Sequence, residues 1–265
     1  MSNISVENLT KRYGDTVALD DVSFEVPDGE FVVVLGISGS GKSTLLRCVN
    51  GLTSPTAGTV TIDDDRITSP RDDIAMIFQS HNIIGQMSAY SNALTGSMGR
   101  NGLFDSLLRL QDRDEKIRAL EALETVGLLD EAQQRARQMS GGQRQRVGIA
   151  RALVQRPNVL LADEPVASLD PGSAQQVMNY LRTAAADRGL TAMVSLHQIN
   201  LARKFGQRFI GLRDGRKVFD GYREDLTVDA IDEIYGDIDT EGMVVIAEDD
   251  SRGDSSSALE REGAL

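Results

Sequence analysis

The chain has 265 residues, of which 40% are hydrophobic, and its formal net charge is -12 at pH 7. That length is sufficient to bury a sizeable core, and the single cysteine, Cys48, cannot form an internal disulfide, so we expect it to pack as a small hydrophobic residue. The negative charge argues against a nucleic acid as main partner, because nonspecific binding to phosphates depends on many Lys and Arg contacts. The apolar runs are far shorter than the ~18 residues of a membrane-spanning helix, and the N-terminus lacks a signal-peptide pattern. We therefore expect a soluble protein.

The N-terminal region predicts a β-rich layer. Residues 4–10 and 18–26 alternate apolar and polar side chains, which is the pattern of half-exposed strands. Phe31–Leu35 is continuously apolar and mostly β-branched, which is typical of a central strand that is buried on both faces. A helix is expected to begin near Lys42, directly after a glycine-rich segment.

The remaining elements complete a parallel α/β core with a helical insert. Residues 158–162 and Thr191–Leu196 have the same buried-strand character, and helical segments flank both. Between residues 79 and 140 the apolar positions have helical spacing, at Leu107, Leu108, Leu110, Ile117, Leu120, Leu123 and Val126. From about residue 248 the chain is acidic and rich in small residues, so this tail is expected to be disordered.

The glycine-rich segment matches the phosphate-binding pattern G-x-x-x-x-G-K-[ST]. Its glycines allow backbone N–H groups to point at phosphate oxygens, and the following helix offers its positive N-terminal end. Lys42 would reach the β- and γ-phosphates of a bound ATP, and the Ser43 hydroxyl would ligate Mg²⁺. The predicted nucleotide contacts are Gly36, Ile37, Ser38, Gly39, Ser40, Gly41, Lys42, Ser43 and Thr44.

Two carboxylates follow a buried strand of this predicted core. Asp163 closes the apolar run and should emerge at the carboxyl edge of the sheet beside the phosphate loop, where it could hold the magnesium water shell. Glu164 should point in a different direction and could polarise a water for in-line attack on the γ-phosphate. The two residues are therefore candidates for metal binding and general base catalysis.

A second anion site is indicated by Ser140, Gly141, Gly142 and Gln143, which open a predicted helix over residues 143–155. These four residues resemble the signature sequence of ABC transporter ATP-binding subunits, with Met139 where Leu is commonest. The resemblance extends over residues 3–222. It implies that this turn completes the nucleotide site of a second copy, so that two ATP molecules lie in a two-fold homodimer. We expect the arginines of this helix, Arg144, Arg146 and Arg151, to form a solvated or salt-bridged face.

The same resemblance assigns further residues to the site. It implies that Tyr13 stacks on adenine, that Gln79 touches Mg²⁺ and the attacking water, and that His197 contacts the γ-phosphate. Ser168-Leu169-Asp170 resembles the loop that crosses the dimer interface, which makes Asp170 a further nucleotide-site residue. Metal binding is thereby implied for Ser43, Gln79 and Asp163.

The fold implied by the resemblance is α/β: a P-loop NTPase core of parallel sheet and flanking helices, with an antiparallel β subdomain and an α-helical insert. The expected division is one ABC ATPase domain over residues 1–247 and an acidic tail over 248–265. Within the domain, residues 1–78 and 141–222 would form the core with its β subdomain, and 79–140 the helical subdomain.

Three segments are similar to the phosphonate importer subgroup of this family: residues 91–96, 162–170 and 195–205. Their likeness implies uptake of phosphonate or a related oxyanion, with transmembrane permease subunits and an extracytoplasmic binding protein as partners. The chain would then lie on the cytoplasmic face of the cell membrane. A different importer, a lipoprotein-release ATPase and a soluble ABC ATPase without membrane partners stay open as alternatives, because fold does not fix function.

Overall fold

The computed structural model describes residues 2–79, 82–100 and 113–236. Within those ranges the strands are β1 (Ile4–Tyr13), β2 (Thr16–Val26), β3 (Phe31–Leu35), β4 (Ala57–Ile62), β5 (Asp65–Arg66), β6 (Ile74–Ile77), β7 (Val159–Asp163), β8 (Thr191–Leu196), β9 (Arg208–Arg213) and β10 (Arg216–Tyr222). The α-helices are α1 (Lys42–Asn50), α2 (Ala89–Leu94), α3 (Arg113–Thr125), α4 (Gly141–Val154), α5 (Pro171–Arg188), α6 (Ile199–Phe205) and α7 (Val228–Tyr235).

The described strands form two sheets. An antiparallel sheet has the order β2-β1-β4-β5, and a larger sheet has the order β10-β9-β3-β8-β7-β6. Within the larger sheet, neighbours from β9 to β6 run parallel, and only β10 pairs antiparallel, with β9. This arrangement confirms the predicted parallel core with an antiparallel β layer.

Parallel pairing brings the ends of distant strands to one edge of the larger sheet. Leu35 at the end of β3 pairs with Leu196 at the end of β8, and Asp163 at the end of β7 pairs with Ser195. The loops that follow these strands therefore leave the sheet side by side, as expected for a ligand site in an open α/β sheet.

The central strand β3 is buried on both faces, as its sequence predicts. Val33 and Leu35 belong to a core that includes α4 and α5, whereas Val32 and Val34 belong to a second core shared with the antiparallel sheet and α1. Alternate side chains of a strand point to opposite faces, so one five-residue segment joins both cores. Cys48 lies in the second core and is 1% exposed, which confirms its packing role.

In the helical region, the buried face of α3 consists of Glu115, two alanines and one leucine. Ala119, Ala122 and Leu123 are buried, whereas Ile117 and Leu120 are 43% and 37% exposed. The apolar spacing predicted this helix correctly, and of the large residues in that pattern Leu123 and Val126 are fully buried. Leu107, Leu108 and Leu110 lie outside the described residues.

The arginines of α4, for which a solvated or salt-bridged face was predicted, are bonded to backbone carbonyls. All three arginines are partly buried and donate to backbone carbonyls: Arg144 to Met139, Arg146 to Val126 and Gly127, and Arg151 to Asn82. Loops that pack beside α4 present carbonyl oxygens that no helix or strand satisfies, and guanidinium groups are well suited to bind them. These side chains thus attach the helical region to α4.

The strands predicted at Phe31–Leu35 and Thr191–Leu196 have the observed bounds, whereas other predicted boundaries differ by one to three residues. The first strand ends at Tyr13, three residues later than predicted, and the second begins at Thr16, two residues earlier than predicted. Both extend further because they continue into the hairpin that joins them. The helix after Ser140 begins at Gly141 and ends at Val154. The predicted tail at 248–265 lies outside the described ranges, in which no helix is long and apolar enough to cross a bilayer.

Candidate functional site

The loop between β3 and α1 has a backbone that only glycine adopts without strain. Gly36, Gly39 and Gly41 have φ angles of 149°, 86° and 105°. A Cβ at Gly36 would lie 2.3 Å from the Leu212 carbonyl oxygen, and one at Gly41 would lie 2.6 Å from that of Ala18. Gly36 and Gly41 are therefore required by both torsion and space, and Gly39 by torsion alone.

Lys42 opens α1 and is directed back across this loop. Its side chain is 3% exposed, and Nζ donates to the carbonyl oxygens of Gly36 at 2.7 Å and Ile37 at 2.9 Å. Nζ also lies 3.5 Å from Oε1 of Glu164. Burial lowers the pKa of Lys42, and the Glu164 carboxylate opposes that decrease. The amine is thus held at the centre of the loop by acceptors that a triphosphate could replace.

Ser43 and Asp163 meet beside that amine. Ser43 Oγ donates to Asp163 Oδ1 at 2.8 Å, and the buried Ser195 hydroxyl donates to the same oxygen at 3.1 Å. Ser195 Oγ in turn accepts from the Glu164 backbone N–H at 2.9 Å. The hydroxyl of Ser195 therefore fixes the two consecutive carboxylate residues relative to each other.

The Glu164 carboxylate contacts different groups from those that Asp163 contacts. Its φ is 45°, a left-handed conformation that is uncommon for non-glycine residues and typical of functional turns. Its two oxygens lie near different cations: Oε1 near Lys42, and Oε2 3.7 Å from Nδ1 of His197. His197 directly follows β8 and its side chain is 41% exposed.

The donor set suits a phosphate-bound magnesium ion. Ser43 and Asp163 supply hard oxygen atoms, which Mg²⁺ prefers. The described residues contain no group of three or more His, Cys, Asp or Glu that could hold a metal alone, so phosphate oxygens and water would complete the shell. In the same loop, Ser40 Oγ is buried and lacks a hydrogen-bond partner, which leaves it for a ligand atom.

The second predicted anion site lies at the start of α4. Ser140 is exposed, its Oγ accepts from the Gln143 N–H at 3.2 Å, and its own N–H donates to Gln143 Oε1 at 2.9 Å. A Cβ at Gly141 would lie 3.3 Å from Leu169. The side chain of Asp170 caps α5 by accepting from the Ser173 backbone N–H at 3.0 Å, and hydrogen bonds from the Ser173 side chain and backbone lower the pKa of Asp170.

The Ser140 turn faces a shallow cavity of about 340 Å³ between α4 and α5. The cavity is lined by Ser140, Gly142, Gln143, Arg146, Ser173 and Gln176. The positive end of the α4 dipole is directed toward it. The signature-like turn and the segment that contains Asp170 therefore share one exposed surface.

The remaining predicted residues lie around these two groups. Tyr13 ends β1, is 49% exposed, and has the Lys11 ammonium 4.9 Å from its ring centroid. Gln79 is exposed two residues beyond β6, the strand beside β7. Ile37 and Ser38 are exposed at the tip of the phosphate loop, and Thr44 is half-buried in the first turn of α1.

Two residues that sequence reasoning did not select contact the site. Ser195 could have been found as a polar residue inside an apolar buried strand, a position that usually requires a specific partner. Tyr235 donates from its hydroxyl to the His197 carbonyl oxygen at 3.3 Å. It lies 38 residues beyond His197, and no motif marks it.

Comparison with known proteins places these features in a wider group. A family model described as ABC transporter matches residues 19–167. A phosphonates import ATP-binding protein from Halobacterium salinarum is 62% identical, with 99% of this chain and 93% of that protein covered. A second phosphonates import ATP-binding protein, from Haloquadratum walsbyi, is 59% identical, with 97% of this chain and 91% of that protein covered. Among solved structures, a dimeric post-hydrolysis state of an ATP-binding cassette bound to ADP and Pi matches with a TM-score of 0.70 and 34% identity. The match covers 83% of this chain and 98% of that chain.

Proposed function

The chain belongs to the ABC transporter family as an ATP-hydrolysing subunit, and we propose that it uses magnesium ATP in a two-fold dimer to drive phosphonate uptake. The observation that supports the chemistry is the convergence of Lys42, Ser43, Asp163 and Glu164 at one sheet edge. Nucleotide binding follows from family membership. The magnesium ion and the residue roles below are parts of the proposal.

Lys42 and the loop backbone would bind the phosphates. The ammonium group would exchange the carbonyls of Gly36 and Ile37 for phosphate oxygens, which are stronger acceptors because they are charged. Ser43 and Asp163 would hold the magnesium ion, with Asp163 acting through coordinated water and Gln79 joining from the loop after β6. When bound, the ion would neutralise charge on the transferred phosphoryl group.

Glu164 would accept a proton from the attacking water. Its strained backbone directs the carboxylate toward Lys42 and His197, and the Ser195 hydroxyl holds its N–H in place. His197 would contact the γ-phosphate and would orient the same carboxylate. Positioned general bases of this kind contribute about 10²- to 10⁴-fold to rate.

A second copy of the chain would complete each site. The N-terminus of α4 is exposed at its cap, Ser140, and provides the positive end of a helix dipole. This second anion site is separate from the phosphate loop at Lys42. If the Ser140 turn of each copy faces the Lys42 loop of the other copy, the dimer encloses one ATP at each of two equivalent sites. Tyr13 would stack on adenine, and Asp170 would lie at the dimer interface.

The groove beside the helical region is our proposed contact for the permease. It has a volume of about 420 Å³, and its lining combines core residues such as Leu52 and Phe78 with helical-region residues such as Thr95 and Gly96. Leu52 is 48% exposed, which suits contact with an apolar partner segment. A permease segment bound in this groove would move with the helical region when ATP closes the dimer. The chain would then act at the cytoplasmic face of the membrane.

Reconstitution would test the assignment. The chain and its permeases in vesicles should hydrolyse ATP faster when phosphonate-loaded binding protein is supplied than when empty binding protein is supplied. Stimulation by another substrate class would replace phosphonate and leave the ATPase assignment standing. A purified chain that does not hydrolyse magnesium ATP with or without permeases would refute the whole proposal.

A further inference from the structure

The last helix of the described residues, α7, packs against β9, the strand that neighbours the phosphate-loop strand β3. Ile231 and Ile234 are 6% and 0% exposed. A Cβ at Gly211 in β9 would lie 2.5 Å from the Ile234 side chain, so the helix sits directly on that strand. Gly211 pairs with Leu35, the residue that precedes Gly36. The helix therefore lies one strand away from the start of the phosphate loop.

The end of α7 is held in place as well. Arg213 Nη1, from the end of β9, donates to the Glu233 carbonyl oxygen in the last helical turn at 3.1 Å. A cation at a helix C-terminus also interacts favourably with the helix dipole. Tyr235 is thus presented by a helix end that is fixed by both packing and hydrogen bonding.

Tyr235 connects this helix to the backbone of His197. Its side chain is buried, and the hydroxyl donates to the His197 carbonyl oxygen at 3.3 Å. Burial raises the pKa of Tyr235 to about 12, while the Gly36 backbone opposes that rise, so the phenol is a proton donor at neutral pH. His197 lies between the end of β8 and the start of α6.

We propose that Tyr235 is a positioning residue for His197, fixing the distance between that histidine and the phosphate loop through its backbone carbonyl. The inference rests on the proposed role of His197 in ATP hydrolysis. Tyr235 touches no reacting atom, and it acts by limiting where the imidazole beside Glu164 can lie. Loss of the hydroxyl should therefore lower turnover more than nucleotide affinity.

Tyr235→Phe tests this, because it removes the hydroxyl and retains the packed ring. The matched control is Tyr222→Phe, in which an exposed phenol loses a 3.4 Å hydrogen bond to Glu30. We expect Tyr235→Phe to lower kcat about fivefold, because that factor corresponds to the net contribution of one hydrogen bond. The KM for ATP should stay within twofold of the wild-type value. The control should keep both values.

A second readout uses the nucleotide-free protein. The chain has two histidines, His81 and His197, so imidazole NMR signals are assigned by a single His197→Gln variant. Tyr235→Phe should shift the His197 signals, whereas Tyr222→Phe should leave them in place. This measurement does not depend on hydrolysis.

A kcat within twofold of wild type, or unmoved His197 signals, would overturn the positioning role. A kcat loss that Tyr222→Phe reproduces would do the same. The proposed function fails separately: full activity of His197→Ala would remove His197 from the hydrolysis site, whatever Tyr235→Phe does to the NMR signals.

Discussion

Ser43 Oγ donates a 2.8 Å hydrogen bond to Asp163 Oδ1, although 120 residues separate them. The contact forms because α1 follows β3 and Asp163 ends β7, and these strands flank β8 in one parallel sheet. A serine hydroxyl has one proton and two lone pairs, so donation to Asp163 leaves its lone pairs for a cation. This geometry supports the magnesium role that we propose for the pair.

Glu164→Gln should preserve ATP binding and nearly abolish turnover, by about 10²-fold or more, because an amide cannot accept the water proton. The variant should also accumulate as a nucleotide-bound dimer in size-exclusion chromatography with magnesium ATP. Glu124→Gln, on the exposed side of α3, makes the same chemical change away from the site and should behave as wild type. Normal hydrolysis by Glu164→Gln would remove Glu164 from its assigned role.

Lys42→Ala should weaken ATP binding about 100-fold, measured by titration calorimetry, because it deletes the ammonium group that faces the phosphates. Lys204→Ala is the control, since Lys204 is exposed and its ammonium group donates to the Gln175 side chain at 2.9 Å, outside the phosphate loop. Equal affinities for wild type and Lys42→Ala would contradict the assignment.

Gly41→Ala should destabilise the protein by more than Gly189→Ala. Both glycines have positive φ, 105° and 61°, so both substitutions incur about 1–2 kcal/mol of backbone strain. A Cβ at Gly41 additionally meets the Ala18 carbonyl oxygen at 2.6 Å, whereas one at Gly189 meets nothing within 4 Å. Urea unfolding of both variants measures the difference, and similar values would show that the loop tolerates a side chain.

Ser140→Ala should lower dimer formation with magnesium ATP as well as stability. Removing an N-cap hydroxyl costs about 1 kcal/mol in any helix. Ser88→Ala removes the corresponding cap of α2, where Ser88 Oγ accepts at 3.1 Å, and should reduce only stability. If the two variants dimerise equally well, Ser140 does not belong to the partner's nucleotide site.

Cys48 should resist thiol reagents in the native protein. Burial raises the pKa of Cys48 from 9.0 to about 11, so at pH 8 only about one molecule in a thousand carries the thiolate. Because the folded pKa is raised, this contribution to stability is complete below pH 9 and is lost as the pH rises toward 11. The free energy of unfolding should therefore fall less between pH 8 and 10 in Cys48→Ala than in wild type. Rapid labelling of the native protein at pH 8 would contradict the burial.

The sequence determined the family and the phosphate loop, because local patterns encode them. A buried strand, a glycine turn and a Lys-Ser pair are adjacent in the chain, and glycine is required wherever φ is positive or a Cβ would collide. The strand ending at Asp163 was predictable for the same reason, since its apolar run ends where the carboxylate begins. Ser140 and Gln143 also belong to a local capping pattern.

Only the tertiary structure decided which distant groups meet. Ser195 bonds to Asp163 and to the Glu164 backbone because β7 and β8 are paired, and strand order cannot be read from either strand alone. The arginines of α4 bind carbonyls that neighbouring loops bring to them, and their charge pattern alone, which suggested a solvated or salt-bridged face, does not reveal these partners. Tyr235 reaches His197 through the packing of α7 on β9, a contact that depends on the whole sheet rather than on any segment of sequence.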